Sequence, residues 1–468
     1  MTSVASRSAD AAAVTAETHG FAGHPSGLAT LFFTEMWERF SYYGMRAFLI
    51  LYMVAPAAQG GLGFSDAAAA SVYGTYTGSA WGATIFGGLV ADRLLGQYRS
   101  VLVGGMIIAL GHFVLAFREL TFFYAGLTLI VIGTGLLKPN VSTLVGSLYA
   151  PGDTRRDAGF SIFYMGINLG AFLGPFVAGN LAQSVDWHVG FACAGVGMTF
   201  GLVQYVLGKR KLQAAIDRLG GPQPKATPAA PTAAAAQTTA TASGATASRG
   251  LGFTTDEWKR IGAVVLFFVF ASLFWGAYEQ AGSTLSLFAD RYTRLSIFGI
   301  GFNSSQFQLV QPVCVIIFAP IFAWLWMRLG SREPSSPAKF ALGLLFVGLA
   351  FVLLMPAGAI AQSGPDVRVS PWWLIVAYAI TEFGELCLSP IGLSVVTKLA
   401  PVRILGLMMG VWFLSNAAGN KIAGWSAGFV STMPLQSLFG ATAGVTIGAA
   451  LVLFVLIKPV RRMMGGVL

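Results

Sequence analysis

Acids and bases recur at helical spacing inside apolar stretches of this chain. The run TEMWERFSYYGMRAFL places Glu35, Glu38, Tyr42 and Arg46 three or four residues apart. They share one helical face, with Arg39 and Tyr43 on a neighbouring stripe. Two carboxylates and two guanidiniums so arranged can neutralise one another; they can also hold a zwitterion and take up a proton. A charge in a membrane helix costs about 2.5 to 3.5 kcal/mol on insertion scales and is usually kept where it meets a cavity or a partner. The plainer reading is an interfacial helix end with snorkelling charges. Apolar residues on both sides of the cluster argue against it.

Other apolar runs carry single polar groups. Lys138, in VIGTGLLKPNVSTLVG, is followed by Pro139 and Asn140. The proline frees a backbone carbonyl and kinks the helix. A lysine at that depth needs an anion, either a substrate carboxylate or a carboxylate partner that only fixes packing. Trp275 and Glu279 lie four apart in LFWGAYEQAG. In AITEFGELCLSPIGLS, Glu382 and Glu385 are three apart, with Ser389 a turn further on. Glu385 is the preferred site for a substrate ammonium. Glu382 is read equally as a carboxyl kept neutral near an interface. Trp412 and Asn416 share a face in MGVWFLSNAAGNKIAG, where Lys421 is either deep or snorkelling. Tyr164 and Asn168 share one in FYMGINLGAFLGP. Asn168 can bond a substrate amide or a neighbouring helix, and the substrate reading is preferred. His19, His24, His112 and His188 are scattered, and HExxH, Ser-His-Asp and Walker patterns are missing. The expectation is no catalytic residue, no metal and no cofactor. Transport would run on an ion gradient, with protons as the coupling ion.

The elements that must position these residues follow from composition. Of 468 residues, 55% are hydrophobic and 10% charged, and mean hydropathy is +0.69. Soluble domains carry about 25% charged residues, so the chain is expected in a lipid bilayer. The net charge of +10 does not indicate nucleic acid, because the basic residues fall in short loops between apolar runs. Cys193, Cys314 and Cys387 lie far apart in apolar runs and suggest no disulfide framework. A spanning helix needs about 20 apolar residues, and twelve segments qualify. The first six run approximately 27–55, 66–92, 99–117, 121–148, 157–182 and 188–208. The second six run approximately 257–289, 304–328, 338–360, 371–398, 404–430 and 435–458.

The expected organisation is a disordered cytoplasmic tail over 1–26, a six-helix bundle over 27–208, a flexible cytoplasmic linker over 209–256, a second bundle over 257–460 and a short cytoplasmic tail over 461–468. The linker is low-complexity Ala/Thr/Pro sequence without large apolar residues, which cannot build a packed core. Of 29 lysines and arginines, twenty fall in or beside the even-numbered loops, or after the twelfth segment, and four in the odd-numbered ones. That bias places both termini in the cytoplasm. Two sets of six helices suggest a central site between pseudo-symmetric halves, although the halves show no convincing sequence repeat.

EMWERFSYYGMR closely resembles the ExxERFxYYG signature of the proton-dependent oligopeptide transporters, within the major facilitator superfamily. GGLVADRLLG, with Gly88, Asp92 and Arg93, resembles the superfamily's motif between helices 2 and 3. FYMGINLGAFLGP resembles the family's second signature, and GTGLLKPN, FWGAYEQ and GELCLSPIGLS are similar to its helices 4, 7 and 10. The resemblance implies an all-α membrane protein of the major facilitator fold, with 12 transmembrane helices in two six-helix bundles around a central cavity. It implies that Arg39, Arg46 and Lys138 meet a peptide carboxylate or switch partners around it, and that Glu385 meets the peptide ammonium. Tyr42, Tyr43, Asn168, Trp275 and Trp412 would line the pocket, and Asn416, which shares the Trp412 face, is expected to bind substrate with them. Glu35 and Glu38 would bind protons, and Glu279 would pair with Arg46 and release it on protonation. Three departures from the family pattern stand out: Gln311-Pro312 replaces an asparagine before proline, Trp81 replaces a pocket tyrosine, and no extra helices stand between the halves.

The function so implied is proton-coupled import of di- and tripeptides by a monomer in the plasma membrane, the inner membrane of a bacterium. A proton-coupled facilitator of another small anion, such as nitrate or a dicarboxylate, is the alternative. A membrane enzyme would need a nucleophile–base pair or a metal cluster at membrane depth. A receptor would bind peptide without moving it.

Overall fold

The computed structural model describes residues 20–150, 153–219, 253–401 and 404–465. A chain crossing lipid must satisfy its backbone polar groups internally, which favours helices, and each of the twelve expected segments is helical. In the first half these are α1 (Gly27–Val54), α2 (Asp66–Val90), α3 (Gln97–Leu115), α4 (Leu120–Ser147), α5 (Arg156–Gly174) and α6 (Trp187–Leu207). The second half holds α7 (Thr255–Tyr278), α8 (Val310–Leu329), α9 (Ser336–Ala361), α10 (Trp372–Leu399), α11 (Leu405–Ala427) and α12 (Leu435–Met463). Eight of them, with their short extensions, are long and apolar enough to cross a membrane. The other four, α1, α2, α10 and α11, are 23 to 28 residues long. Wide turns continue α2 over Ala91–Leu95 and α5 over Pro175–Gly179, and α7 continues through a tight turn, Glu279–Gly282, into Thr284–Tyr292. The only sheet among the described residues is a hairpin of Ser296–Ile297 on Ile300–Gly301.

The two halves repeat one packing plan. In the first, α1 lies against α5 and α6, and α3 against α4 and α6; in the second, α7 lies against α11 and α12, and α9 against α10 and α12. The pseudo-symmetry without a visible sequence repeat is therefore present in the helix pairing. Across the halves α2 packs on α11 and, less extensively, α5 on α8, pairs that the same symmetry interchanges. Exposed apolar side chains such as Phe86, Met106, Val203, Ile317, Met327 and Val455 face outward, where lipid would cover them.

Small residues set the closest contacts, as in membrane helix packing generally. A Cβ on Gly87 would lie 1.7 Å from the carbonyl oxygen of Gly135, joining α2 to α4. Between the halves, a Cβ on Gly424 would lie 2.6 Å from the Cα of Gly74.

The expected linker differs at its start. Residues Lys209–Leu219 form a helix whose Leu212 and Ala215 are buried against the ends of α1, α3, α4 and α6. Arg218 donates to the carbonyls of Ser147 and Leu148 at 2.9 and 2.6 Å. Leu212, Ala215, Ile216 and Leu219 recur at three- and four-residue spacing, a stripe concealed by the low-complexity sequence that follows. The rest of the linker up to residue 252, residues 1–19 of the expected tail and residues 466–468 lie outside the described residues.

Gly87→Val should lower the thermal midpoint of the detergent-solubilised protein, since overpacking of a closed contact costs about 1 to 3 kcal/mol. Gly88→Val should not, because nothing lies within 4 Å of a Cβ there. Equal midpoints for the two variants would refute the α2–α4 contact.

Candidate transport site

Helix α1 is buried along nearly its whole length, and two charge networks radiate from it. Arg39 pairs with both oxygens of Glu38, its Nη2 donating at 2.6 Å, and lies 3.4 Å from Glu35. Lys138, brought in by α4, pairs with the same Glu35. Two acids and two bases are thus gathered into one neutral set. Glu35, Glu38 and Arg39 are buried, and Lys138 is partly open. The Arg39 guanidinium lies over the rings of Tyr42 and Tyr43, 4.9 and 5.7 Å from their centroids. Arg39, Tyr42, Trp81, Thr134 and Lys138 line a small cavity, and Trp81 stacks on Phe413 of α11.

Two turns further along α1, Arg46 reaches the second half. It pairs with Glu279 at the end of α7, and its Nε donates to the hydroxyl of Tyr73 at 2.7 Å. The expected Arg46–Glu279 pair is therefore formed. Tyr73 carries no spacing signal that marked it in advance.

The second half presents acid without base. Glu382 is fully buried and accepts a 2.8 Å bond from Tyr278. Glu385 lies beside it, in bonding reach of Glu382 and Ser389. Tyr43 of α1 and Tyr164 of α5 are its neighbours in the first half. Glu382 is thus enclosed within the second half. Trp275 packs edge-on against Phe274 and Tyr278. Several enclosed polar atoms here have no hydrogen-bond partner among the described residues, including Tyr42 Oη, Thr134 Oγ1, Trp275 Nε1, Glu35 Oε2 and Glu382 Oε2. Buried polar groups normally find partners, so these are atoms a polar ligand would satisfy.

The remaining expected residues take less direct positions. Asn168 is buried and donates to the carbonyl of Tyr164 in its own helix at 3.0 Å, so Tyr164 is the member of that pair aimed at the acids. Trp412 packs edge-on against Phe340 and closes on Gly392, within the second half. Asn416 is buried a turn beyond it and accepts from Asn420 at its carbonyl. In the motif after α2, Asp92 accepts from Gln97 at 2.9 Å and Arg93 is exposed. Gly88 stands in open space, and it is Gly87 that makes the close contact.

Bonds between the halves gather at the end opposite the termini. Asp66 accepts two bonds from Arg291 at 2.6 and 2.7 Å. Asn303 donates to Asn180 and Ser184, and Gln183 donates to Ser304 and accepts from the Ser305 amide. Lys421, open to either reading in the sequence, crosses from α11 to Thr75 at 2.6 Å.

Two pseudo-symmetric helical halves with charges facing each other across a buried centre define the class of secondary transporters. A family model described as the POT family matches residues 98–249 and 247–445. The chain belongs to that family. It is 42% identical to the uncharacterized transporter YclF of Bacillus subtilis, over 96% of this chain and 97% of that one. It is 35% identical to a di-/tripeptide transporter of Lactococcus lactis, over 96% and 98%. A crystal structure of a POT peptide transporter, a mutant in complex with alafosfalin, superposes with a TM-score of 0.85 at 40% identity, covering 96% of this chain and 98% of that one. The fold is accordingly the major facilitator fold, and the protein is a multi-pass membrane protein.

Removing one partner of a buried ion pair costs about 3 to 5 kcal/mol, whereas replacing both by apolar residues is often neutral. Glu279→Leu should therefore lower the thermal midpoint more than the double variant Arg46→Leu/Glu279→Leu. The reverse order would exclude the pair as the stabilising contact.

Proposed function

We propose that the protein is a proton-coupled symporter importing di- and tripeptides by alternating access. The observation that carries the reading is the division of charge between the halves. The first offers Arg39 and Lys138, held by exchangeable counter-ions; the second offers Glu382 and Glu385 without a base. A zwitterion with its carboxylate toward Lys138 and its ammonium toward Glu385 satisfies both. The names of relatives that move di- and tripeptides, and of a structural neighbour bound to alafosfalin, support the same substrate class.

The proposed cycle is an exchange of counter-ions. A peptide carboxylate reaching Lys138 or Arg39 displaces Glu35 or Glu38, and a displaced carboxylate that finds no other cation is best stabilised by a proton. Protonation of Glu279 likewise frees Arg46 and removes a tie between the halves. With both termini in the cytoplasm, the bonded end is the outer one and the arrangement described faces inward. The membrane potential adds roughly 2.3 kcal/mol per proton per 100 mV, ample for uphill uptake. Nothing in this cycle requires a cofactor, a bond-making residue or a second copy of the chain, so the protein is read as a monomeric carrier and not an enzyme.

Reconstituted vesicles with an alkaline interior should accumulate labelled dialanine, and a protonophore should abolish the accumulation. Uptake indifferent to the protonophore would refute coupling. In counterflow, Lys138→Ala and Glu385→Gln should each reduce dialanine exchange at least tenfold, the loss of about 1.4 kcal/mol or more of binding. Full exchange in both variants would overturn the site.

A further inference from the structure

Glu382 has no role in the exchange just described, yet it is the most secluded acid of the second half. One carboxyl oxygen takes the Tyr278 hydroxyl at 2.8 Å. The other, Oε2, is enclosed and has no hydrogen-bond partner among the described residues, with the Gln311 side chain nearby. The groups around it are uncharged or acidic. From α7 come Tyr278 and, nearer Glu385, Glu279, which is committed to Arg46. From α8 come Gln311 and Cys314, from α5 Tyr164, from α1 Tyr43 toward Glu385, and from α10 itself Glu385. Arg39, Arg46 and Lys138 are held by Glu38, Glu279 and Glu35. Among the described residues no base reaches the Glu382–Glu385 pair.

Two adjacent carboxylates without a base cannot both stay ionised away from water, and such pairs keep one proton between them. Geometry assigns it. Glu385 is partly open and neighbours Tyr43 and Tyr164 of the first half, so its charge can be solvated or met by a ligand. Glu382 is shut in, within bonding reach of Glu385. We propose that Glu382 is a protonated carboxyl that donates its hydrogen to Glu385, leaving Glu385 as the carboxylate aimed into the cavity and the pair with a single negative charge. Glu382 is thus a positioning residue. It fixes the rotamer of Glu385 and matches the site to one ammonium, where two carboxylates would favour a dication. A neutral acid serving as a fixed donor has precedent in enzyme sites. The proposal rests on the peptide-transport reading for the role of Glu385, but not for the protonation itself.

The test separates the two. Infrared difference spectra of the purified protein between pH 7 and strongly alkaline pH should contain a carboxylic-acid C=O band that is lost in Glu382→Gln. Absence of any such band in the wild type, or its persistence in Glu382→Gln, overturns the proposal whether or not peptide is carried. In vesicles, Glu382→Gln supplies a neutral donor of the same shape. Its KM for dialanine should stay within about threefold of wild type with the same pH profile. Glu382→Leu removes the donor and should raise KM about tenfold, a loss near 1.4 kcal/mol, with the maximal rate less affected. A Glu382→Gln variant as impaired as Glu382→Leu, or with a shifted pH profile, overturns it, since Glu382 would then be titrating. If wild-type vesicles move no dialanine while the band behaves as expected, the peptide reading fails and the protonated acid stands.

Discussion

Charge removed from water must be answered by charge or by a proton, and the centre of this molecule is arranged around that constraint. An ion moved alone into a low-dielectric interior carries a penalty of several kcal/mol. Three bases lie at the centre, and each has an acid: Arg39 with Glu38, Lys138 with Glu35, Arg46 with Glu279. The bases all come from the first half. Only Glu279 of their counter-ions comes from the second, and two further acids buried there, Glu382 and Glu385, meet no base among the described residues. Any arrangement that takes an acid from its base, or brings a new ion in, must redistribute protons.

The pairs differ in what they tie together. Glu35, Glu38, Arg39 and Lys138 belong to α1 and α4, so rearranging them leaves the two halves joined. Arg46–Glu279 spans the halves, as do Asp66–Arg291 and Lys421–Thr75. Aromatic rings do the insulating. Tyr42 and Tyr43 cover the Arg39 guanidinium, Tyr73 holds the flank of Arg46, and Tyr278 caps Glu382. Phenols suit this task because each offers a large apolar face and one polar atom.

Helical spacing made the first charge cluster legible in the sequence, because residues three or four apart must share a face whatever the tertiary fold. The same rule found Glu279 beside Trp275 and Glu385 beside Glu382. It could not say which helices meet. The Lys138–Glu35 contact joins residues 103 apart, and Asp66–Arg291 joins residues 225 apart; neither has a local signature. Spacing also leaves a polar side chain's partner open. Asn168 stands on the expected face but spends its amide on its own helix. Composition misread the start of the linker, where four apolar residues at helical spacing outweigh the alanine-rich sequence after them. The helix-pairing symmetry was invisible because packing constrains size and shape, which many unrelated sequences meet.

The crossing of α2 and α11 at Gly74 and Gly424 has a mechanical consequence. Small residues bring the two backbones together along a seam, Ala70, Gly74 and Gly78 on one side and Ala417, Asn420 and Gly424 on the other, as glycine pairs do inside each half. A seam of that kind forbids closer approach, and it presents few interlocking side chains to resist the tilting of one backbone on the other.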